Sequence, residues 1–531
     1  MAQQFARYVA ETPFGAAEGW TLERMTPPSR LYGANGLRTG PDGRIYVAQV
    51  SGSQISAIDP ETGAVESISA MGGGIVGPDD LVFDDHGNLY ATEITEGRVS
   101  VRSPNGATKV LYGDLDVANP ITFHQGRLIA GELKMGGRIV ELDRNGGAPR
   151  TILDNVPMPN AFEVGPDGML YFPAQAVNEI WRVSLDGGAP EVVAKDLGVP
   201  DSVKFDSQGR IVSTQVHSGQ VLRIDPRTGA REVLADIAPG LDNVTFIGER
   251  IFVSSISGQV NEILAGGKLR SVIPDGFNWP LGLAMGPDGV LFAADGPYSY
   301  FVQPDGSRAV AGMLFTPGCP GYIRGVAAAG VGEFVVATAN GHIARWRPAL
   351  QESEFLAEGY DRLYGVALAP GGTIVFAEAG GGRLLSLKDG QAETLASGLK
   401  EPMGVAIAPD GAVLVSENTG GRVAKVSGGK VDTLVDGLRQ PQGLLVLGQK
   451  LYIVDALAKA VVEYDFATGK SQPIAANLPL GAPPGVIPKF LGPIGDMSGP
   501  MGPFAGITAG TDGTIYVSGD AEGSILKLRA G

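Results

Sequence analysis

The stretch NAFEVGPDGMLYFPA, residues 160–174, has an alternating apolar run, a Gly-Pro-Asp-Gly turn and a second apolar run. A glycine-containing turn between two such runs is typical of a β-hairpin. Related hairpins recur along the whole chain. The stretch is therefore one copy of a repeat, and the repeat decides the fold.

Twelve copies of the hairpin can be aligned on the residue that opens each first run. These residues are Asn35, Asp79, Asn119, Asn160, Asp201, Asp242, Leu281, Arg324, Tyr364, Met403, Gln442 and Ala505. Two further short apolar runs follow each hairpin, and four strands every 40 to 45 residues or so are the signature of β-propeller blades. Because one propeller usually holds about four to eight blades, the sequence predicts an all-β protein of two tandem six-bladed β-propellers, in domains 1–266 and 267–531.

Two runs lie outside the hairpins and are expected to be outer strands that close a ring. Residues 20–25 are assigned to blade six and residues 268–273 to blade twelve. The alternative places the N-terminal strand in blade twelve. Residues 478–504, rich in Pro and Gly, interrupt the repeat between blades eleven and twelve. We expect an ordered loop over one face or at the domain interface, with a lid as the alternative.

Composition limits the classes of protein to consider. Hydrophobic residues make up 44% of the chain, which argues against disorder, and the net charge of −16 argues against nucleic acid or a membrane as partners. The single cysteine, Cys319, excludes an internal disulfide and CxxC metal or redox motifs. Neither a secretory signal nor a membrane-spanning run is visible in the sequence, so a cytoplasmic protein with a small-molecule substrate is expected.

The opening position of the hairpin differs between the two halves. In the first six blades it is always a carboxylate or a carboxamide: Asn35, Asp79, Asn119, Asn160, Asp201 and Asp242. In the last six blades the same position shows no set of ligands. Since inner strands of a propeller start around a common axis, these six side chains are expected to converge, and the first half is predicted to carry the function.

Converging carboxylates repel one another unless a cation lies between them. Ca²⁺ accepts about six to eight oxygen ligands in loose geometry, whereas zinc favours His and Cys, which this set lacks. The six residues are therefore predicted to bind Ca²⁺, with another divalent cation possible. The alternative is that each Asp or Asn only caps a turn at the start of its strand.

The six polar opening residues make the first half resemble the SMP-30/gluconolactonase/paraoxonase-like group of six-bladed propellers. Asn119, Asn160 and Asp201 match the Asn, Asn, Asp series of that group. The resemblance implies a catalytic calcium on the channel axis and hydrolysis of a lactone or ester. The group has a Glu in its first blade where this chain has Asn35, so Asp79 or Asp242 would supply the missing charge.

The second half resembles NHL-type repeats, and no site is predicted there. The blade motif also resembles that of virginiamycin B lyase, a seven-bladed propeller. A metal-assisted lyase is therefore an alternative to the hydrolase. The third alternative, from another class, is a non-enzymatic propeller that serves as a scaffold or binding protein.

Catalytic roles are assigned by position. Asp201 is the first candidate for the base or nucleophile and Asp242 the second. The loops between the second and third strands open on the same face, and they offer candidate substrate-binding residues: Glu93, Glu132, Lys134, Gln175 and Gln215. His217 lies in one of these loops and is a candidate proton shuttle. Similar acids recur in the second half, which favours a turn-anchoring role for Glu93 and Glu132.

Overall fold

The fold was examined in a computed structural model, which describes residues 7–8, 12–495, 497 and 499–531. The described chain is built almost entirely from β-strands, with short 3₁₀ turns at Gln175–Val177, Ala265–Gly267 and Pro348–Leu350. None of the helical segments in the described residues has the length and apolar character needed to cross a membrane. Twelve antiparallel sheets form the blades, eleven of them four-stranded and one five-stranded. The predicted fold of two six-bladed propellers is confirmed.

The chain divides into two compact units. The first propeller comprises residues 30–275 together with 487–495, and the second comprises the described parts of residues 1–29, 276–486 and 497–531. Two strands precede the repeats, β1 (Gly15–Ala16) and β2 (Trp20–Arg24).

The first propeller has six sheets of four strands. Blades one to three contain β3 (Leu37–Thr39), β4 (Ile45–Gln49), β5 (Gln54–Ile58), β6 (Val65–Ser69), β7 (Pro78–Phe83), β8 (Leu89–Glu93), β9 (Arg98–Arg102), β10 (Thr108–Tyr112), β11 (Ala118–His124), β12 (Arg127–Glu132), β13 (Met135–Leu142) and β14 (Arg150–Pro157). Blades four to six contain β15 (Glu163–Val164), β16 (Met169–Ala174), β17 (Glu179–Ser184), β18 (Glu191–Ala194), β19 (Lys204–Phe205), β20 (Ile211–Thr214), β21 (Gln220–Ile224), β22 (Arg231–Asp236), β23 (Leu241–Ile247), β24 (Arg250–Ser255), β25 (Val260–Ile263) and β26 (Leu269–Ile273).

The second propeller repeats the arrangement. Blades seven to nine contain β27 (Pro280–Met285), β28 (Leu291–Asp295), β29 (Tyr298–Val302), β30 (Arg308–Met313), β31 (Ile323–Gly330), β32 (Glu333–Thr338), β33 (Ile343–Arg347), β34 (Glu352–Ala357), β35 (Leu363–Leu368), β36 (Ile374–Glu378), β37 (Arg383–Lys388) and β38 (Gln391–Ala396). Blades ten to twelve contain β39 (Pro402–Ile407), β40 (Val413–Glu417), β41 (Arg422–Ser427), β42 (Lys430–Val435), β43 (Pro441–Leu447), β44 (Lys450–Asp455), β45 (Ala460–Asp465), β46 (Lys470–Ala476), β47 (Ile507–Ala509), β48 (Ile515–Gly519) and β49 (Ser524–Ala530).

The hairpin of residues 160–174 shows how the local sequence produces a blade. β15 pairs with β16 so that Val164 lies opposite Leu170. The turn between them closes with a hydrogen bond from Gly168 N to Gly165 O of 2.9 Å. Gly168 has a φ of 78°, a conformation that favours glycine. The alternating apolar residues of the hairpin then face neighbouring blades, and the core lies between adjacent sheets.

Blade one meets blade six, so the first propeller closes on itself. Thr39 N donates a hydrogen bond of 3.0 Å to Thr245 Oγ1. Ser254 Oγ donates to Asn35 O at 2.7 Å. These hydrogen bonds join the last blade of the ring to the first.

The two closing strands differ from the expected assignment. β26 completes blade six by pairing with β25, and β2 completes blade twelve by pairing with β49, with Leu22 opposite Leu528. The assignment of residues 20–25 to blade six and of 268–273 to blade twelve was therefore wrong, and the alternative for the N-terminal strand is observed. β1 adds a fifth strand to blade eleven through β46.

The channel of the second propeller is narrow because each of its inner strands has glycine directly after the opening position. These residues are Gly282, Gly325, Gly365, Gly404, Gly443 and Gly506. An added Cβ on Gly325 would lie 1.9 Å from Tyr364 O of the next blade. Met501 and Phe504, from the long insertion, are buried in the apolar cluster of this channel. The Arg324 guanidinium binds Pro500 O at 2.6 Å.

Candidate functional site

The six polar opening residues lie at one end of the first propeller's channel, where its inner strands begin. We call them the axial ring: Asn35, Asp79, Asn119, Asn160, Asp201 and Asp242. Four of them are buried, and Asn35 and Asp242 are partly buried. Hydrogen bonds and charge interactions connect ring residues from five of the six blades.

Hydroxyl groups on the second strands hold the backbone of the axial ring in place. Thr92 Oγ1 donates to Asn119 O at 2.6 Å, and Thr214 Oγ1 donates to Asp242 O. Each hydroxyl reaches the opening residue of the following blade. The ring residues are therefore fixed by neighbouring blades as well as by their own.

Amide groups within the axial ring contact two of its carboxylates. Asn160 Nδ2 donates to Asp201 Oδ2 at 3.0 Å, and Gln175 Nε2 donates to the same oxygen at 3.2 Å. Asn35 Nδ2 donates to Asp242 Oδ2 at 3.2 Å. Asp79 and Asn119 differ, because their side chains have no hydrogen-bond partner among the residues that the structure describes.

Ionisation of the three carboxylates of the axial ring is unfavourable. Burial, together with the neighbouring charge of Asp80, raises the pKa of Asp79 to about 7. Burial also raises the pKa of Asp201 well above its ordinary value, with a further contribution from the charge of Asp79. The pKa of Asp242 is raised by burial and then by the charges of Asp201 and Asp79. The three carboxylates therefore repel one another, as expected for carboxylates around a common axis.

The donor set fits a hard divalent cation. Within the described chain no Lys or Arg forms an ion pair with Asp79, Asp201 or Asp242. The described residues also contain no group of three or more His, Cys, Asp and Glu side chains that is arranged to hold a metal ion. A cation in the axial ring would therefore need amide oxygens such as that of Asn119 in addition to carboxylates, and Ca²⁺ accepts this mixture.

A second layer of polar residues lies deeper in the channel, three residues after the opening position in five of the six inner strands. Sequence reasoning missed it. Arg38 binds Glu163 at 2.8 Å, and Lys204 binds the same carboxylate at 3.1 Å. Thr122 Oγ1 donates to the other oxygen of Glu163 at 3.2 Å. Extending the repeat alignment by three positions would have shown this pattern, since the same register contains Thr245.

This inner charge network, Arg38, Asp80, Glu163 and Lys204, contains two positive and two negative groups. The charges of Lys204 and Arg38 offset the burial of Glu163 and lower its pKa to about 2. Asp80 accepts hydrogen bonds from Leu81 N at 2.8 Å and Ile121 N at 3.1 Å. The deeper layer is therefore electrostatically balanced, whereas the axial ring has three carboxylates and no positive partner in the described residues.

Three of the predicted substrate-binding residues anchor loops. Glu93 accepts a hydrogen bond from Val76 N at 2.7 Å, Glu132 accepts one from Asp116 N at 3.1 Å, and Gln215 accepts one from Gly198 N at 2.9 Å. The same contact recurs in the second propeller, where the carboxylates of Asp295, Glu378, Glu417, Asp455 and Asp520 bind backbone N–H groups. The recurrence supports the turn-anchoring interpretation of Glu93 and Glu132.

The remaining loop candidates lie at the surface or beside the ring. Gln175 contacts Asp201 and is the one loop candidate with a described hydrogen bond to an axial-ring side chain. Lys134 binds Asp116 at 3.0 Å. His217 is exposed, and its described hydrogen bond is made by its backbone, from His217 N to Gly198 O at 3.1 Å. The assignment of His217 as a proton shuttle stays a prediction.

The fold and the axial ring together define a six-bladed β-propeller with a candidate metal site at one end of its channel. Residues 21–257, just under half of the chain, match the family model of the SMP-30/Gluconolactonase/LRE-like region. The family resemblance predicted for the first half is thereby confirmed.

Solved structures of other propellers resemble the chain at low sequence identity. A streptogramin B lyase is 19% identical, with 52% of this chain and 95% of that chain covered and a TM-score of 0.38. The virginiamycin B lyase from Staphylococcus aureus is 14% identical, with 55% and 98% covered and a TM-score of 0.39. A putative gluconolactonase is 14% identical, with 50% and 99% covered and a TM-score of 0.38. No curated protein matched the chain.

Proposed function

We propose that the first propeller is a calcium-dependent hydrolase of a lactone or ester. The observation that carries the proposal is the axial ring, in which two buried carboxylates and one partly buried carboxylate interact with one another and have no positive partner in the described chain. A divalent cation offsets this charge. The family match over residues 21–257 supports the same class, because that family's description names gluconolactonase.

Asp79, Asn119, Asn160, Asp201 and Asp242 would hold the ion, with Asn35 at the edge of the set. When bound, Ca²⁺ supplies a Lewis acid that polarises the substrate carbonyl and favours the oxyanion. Asp201 is proposed to take the proton of the attacking water, since Asn160 and Gln175 hold its carboxylate in a defined position. Asp242 is the second candidate for this role, and His217 is proposed to exchange protons with solvent.

The reaction proposed is addition of water across the acyl C–O bond. The water oxygen bonds to the acyl carbon, the bond to the leaving oxygen breaks, and one water proton passes through the base to that oxygen. A lactone then yields one hydroxy acid, and an ester yields an acid and an alcohol. A lyase would give an unsaturated product without adding water, so product analysis separates the two.

The test combines metal analysis of the purified protein with a hydrolysis screen over lactones and aryl esters, with and without chelator. We expect bound calcium and chelator-sensitive hydrolysis. Asp201→Ala and Asn160→Ala should lower kcat/KM by at least about a hundredfold, whereas Asp154→Ala, at an exposed residue of β14, should leave it unchanged. Absence of a bound divalent ion together with unchanged activity in both ring variants would refute the proposal and favour a scaffold protein.

A further inference from the structure

Residues 487–495 contact blades two and three of the first propeller, near the start of their inner strands. They come from the long insertion between blades eleven and twelve, yet they belong to the first compact unit. The segment reads IPKFLGPIG and contains one charged residue, Lys489. Its position in space is not evident from its position in the sequence.

Three described contacts fix where the segment lies. An added Cβ on Gly77 would lie 3.6 Å from Leu491 Cδ2, and an added Cβ on Gly495 would lie 3.3 Å from Val117 Cγ2. An added Cβ on Gly492 would lie 4.0 Å from Thr95 O, in the loop between β8 and β9.

These contacts relate the segment to the ring. Gly77 precedes Asp79 by two residues, and Val117 precedes Asn119 by two residues. The segment therefore runs from the start of the inner strand of blade two to that of blade three, beside Asp79 and Asn119. Those are the two axial-ring residues whose side chains have no hydrogen-bond partner in the described chain.

The side chains of the segment are mostly apolar. Leu491 and Ile494 are buried at 2% and 8% exposure, whereas Ile487 is 87% exposed and Phe490 is 48% exposed. On the same end of the propeller, Met135, the first residue of β13, and Val177, in the 3₁₀ turn after β16, are also exposed. An apolar wall beside polar metal ligands is the usual composition of a site that binds a small molecule with an apolar body.

We propose that residues 487–495 cover the axial ring on the side of blades two and three and form the apolar wall of its substrate site. The substrate class that fits is a lactone or ester with an extended apolar acyl or aryl group. This substrate class rests on the proposed hydrolase function. The covering role rests on the contacts alone.

The covering role can be tested without activity or metal. In a chain carrying Cys319→Ser and Asn119→Cys, the new thiol should react slowly with a soluble disulfide reagent. Replacing residues 487–495 by a Gly-Ser linker of equal length should speed the reaction at least tenfold. His86→Cys, at an exposed residue in the turn between β7 and β8 at the opposite end, should react equally fast with and without the linker. Equal rates at Asn119→Cys would overturn the proposal.

The substrate class is tested by chain-length selectivity. The ratio of kcat/KM for an eight-carbon acyl lactone to that for a four-carbon one should fall about tenfold in Phe490→Ala, because exposed apolar wall area is lost. Val110→Ala, at an exposed residue of the outer strand β10 and outside the segment, is the matched control and should leave the ratio unchanged. An unchanged ratio in Phe490→Ala would exclude the apolar-wall role.

The thiol-reaction experiment and the hydrolysis assay distinguish failure of the covering role from failure of the hydrolase function. If the thiol becomes accessible only in the linker variant but no lactone or ester is hydrolysed, the covering role stands and the hydrolase function is refuted, together with the substrate class. If hydrolysis occurs and the thiol rate does not change, the function stands and the covering role is refuted.

Discussion

Asp79 has 7% of its surface exposed, its side chain has no described hydrogen-bond partner, and it directly precedes a second buried carboxylate, Asp80. Water cannot solvate its charge fully, and the neighbouring charge opposes ionisation. Asp201 and Asp242 have the same conflict, although amide donors relieve it partly. At the scale of single residues, the axial ring is thus a site where ionised side chains destabilise the fold and where we propose that a cation binds.

The first prediction concerns Asp79→Asn. At pH 8 and in the presence of a chelator, the free energy of unfolding of this variant should exceed that of the native sequence by about 2 to 4 kcal/mol, because a buried charge is removed. Addition of calcium should stabilise the native sequence but not the variant. Calorimetry with calcium and with chelator measures both effects. Asp154→Asn, at an exposed position, is the control, and equal calcium responses in Asp79→Asn and the native protein would contradict the metal site.

Asp520 shows the same conflict at a loop anchor in the second propeller. Its Oδ1 accepts a hydrogen bond from Gly481 N at 2.7 Å, while Oδ2 is buried without a hydrogen-bond partner in the described residues. Burial raises its pKa to about 6. Because the folded state binds the proton more tightly than the unfolded state, the contribution of Asp520 to stability must decrease as pH rises from about 4 to about 6.

The second prediction follows from this sign. The native sequence should lose about 3 kcal/mol relative to Asp520→Asn between pH 3.5 and pH 7, since each pKa unit is about 1.4 kcal/mol. Asn retains an oxygen for Gly481 N and carries no charge. Urea unfolding at several pH values measures the difference. Asp436→Asn, at an exposed residue, should show no such pH dependence, and a parallel pH profile for Asp520→Asn would contradict the assignment.

At the scale of the elements, the two propellers share the same repeated hairpin but differ in the residues of their inner strands. In the second propeller each inner strand carries glycine where it meets the backbone of the next blade, and the strands pack closely. In the first propeller the same register is mixed, with Gly36, Asp80, Pro120, Ala161, Ser202 and Asn243. The close backbone approach at this register therefore recurs in every blade of the second propeller but not in every blade of the first.

The third prediction tests the glycine contacts within one strand, β31. Gly325→Ala should destabilise the protein by at least about 3 kcal/mol, because the added methyl group would overlap the carbonyl oxygen of Tyr364, which is backbone and cannot rotate away. Gly330→Ala is the matched control, since its added Cβ would have an ordinary 3.8 Å contact with Glu333 Cβ. Chemical unfolding of the two variants measures the difference. Similar stabilities would show that the strands separate easily.

At the scale of the whole molecule, the last blade of the second propeller is completed by the beginning of the chain. β2 pairs with β49 over five residues, and Arg24 binds the buried carboxylate of Glu522 at 2.6 Å. Without β2 the last blade would have three strands and an open edge. The second propeller therefore depends on residues far apart in sequence.

The fourth prediction is that removal of residues 1–25 lowers the unfolding midpoint of the second propeller by about 5 °C or more, since an outer strand and an ion pair are lost. Differential scanning calorimetry of the truncated chain measures the shift. Glu23→Ala, at an exposed residue of β2 whose ion pair with Arg529 is long, at 3.9 Å, and lies at the surface, should change the midpoint little. An unchanged midpoint after truncation would show that β2 contributes nothing to the closure of the blade.

The sequence by itself determined the blades, their number and the axial ring, because the hairpin pattern is local and the opening residue has the same register in every copy. It did not determine which outer strand closes which blade, since any edge strand of suitable length can pair with residues 20–25 or 268–273. Tertiary structure alone showed which residues pair in the inner charge network and where residues 487–495 lie. Those contacts join residues from different blades and from the insertion, and they depend on how the inner strands converge rather than on any local pattern.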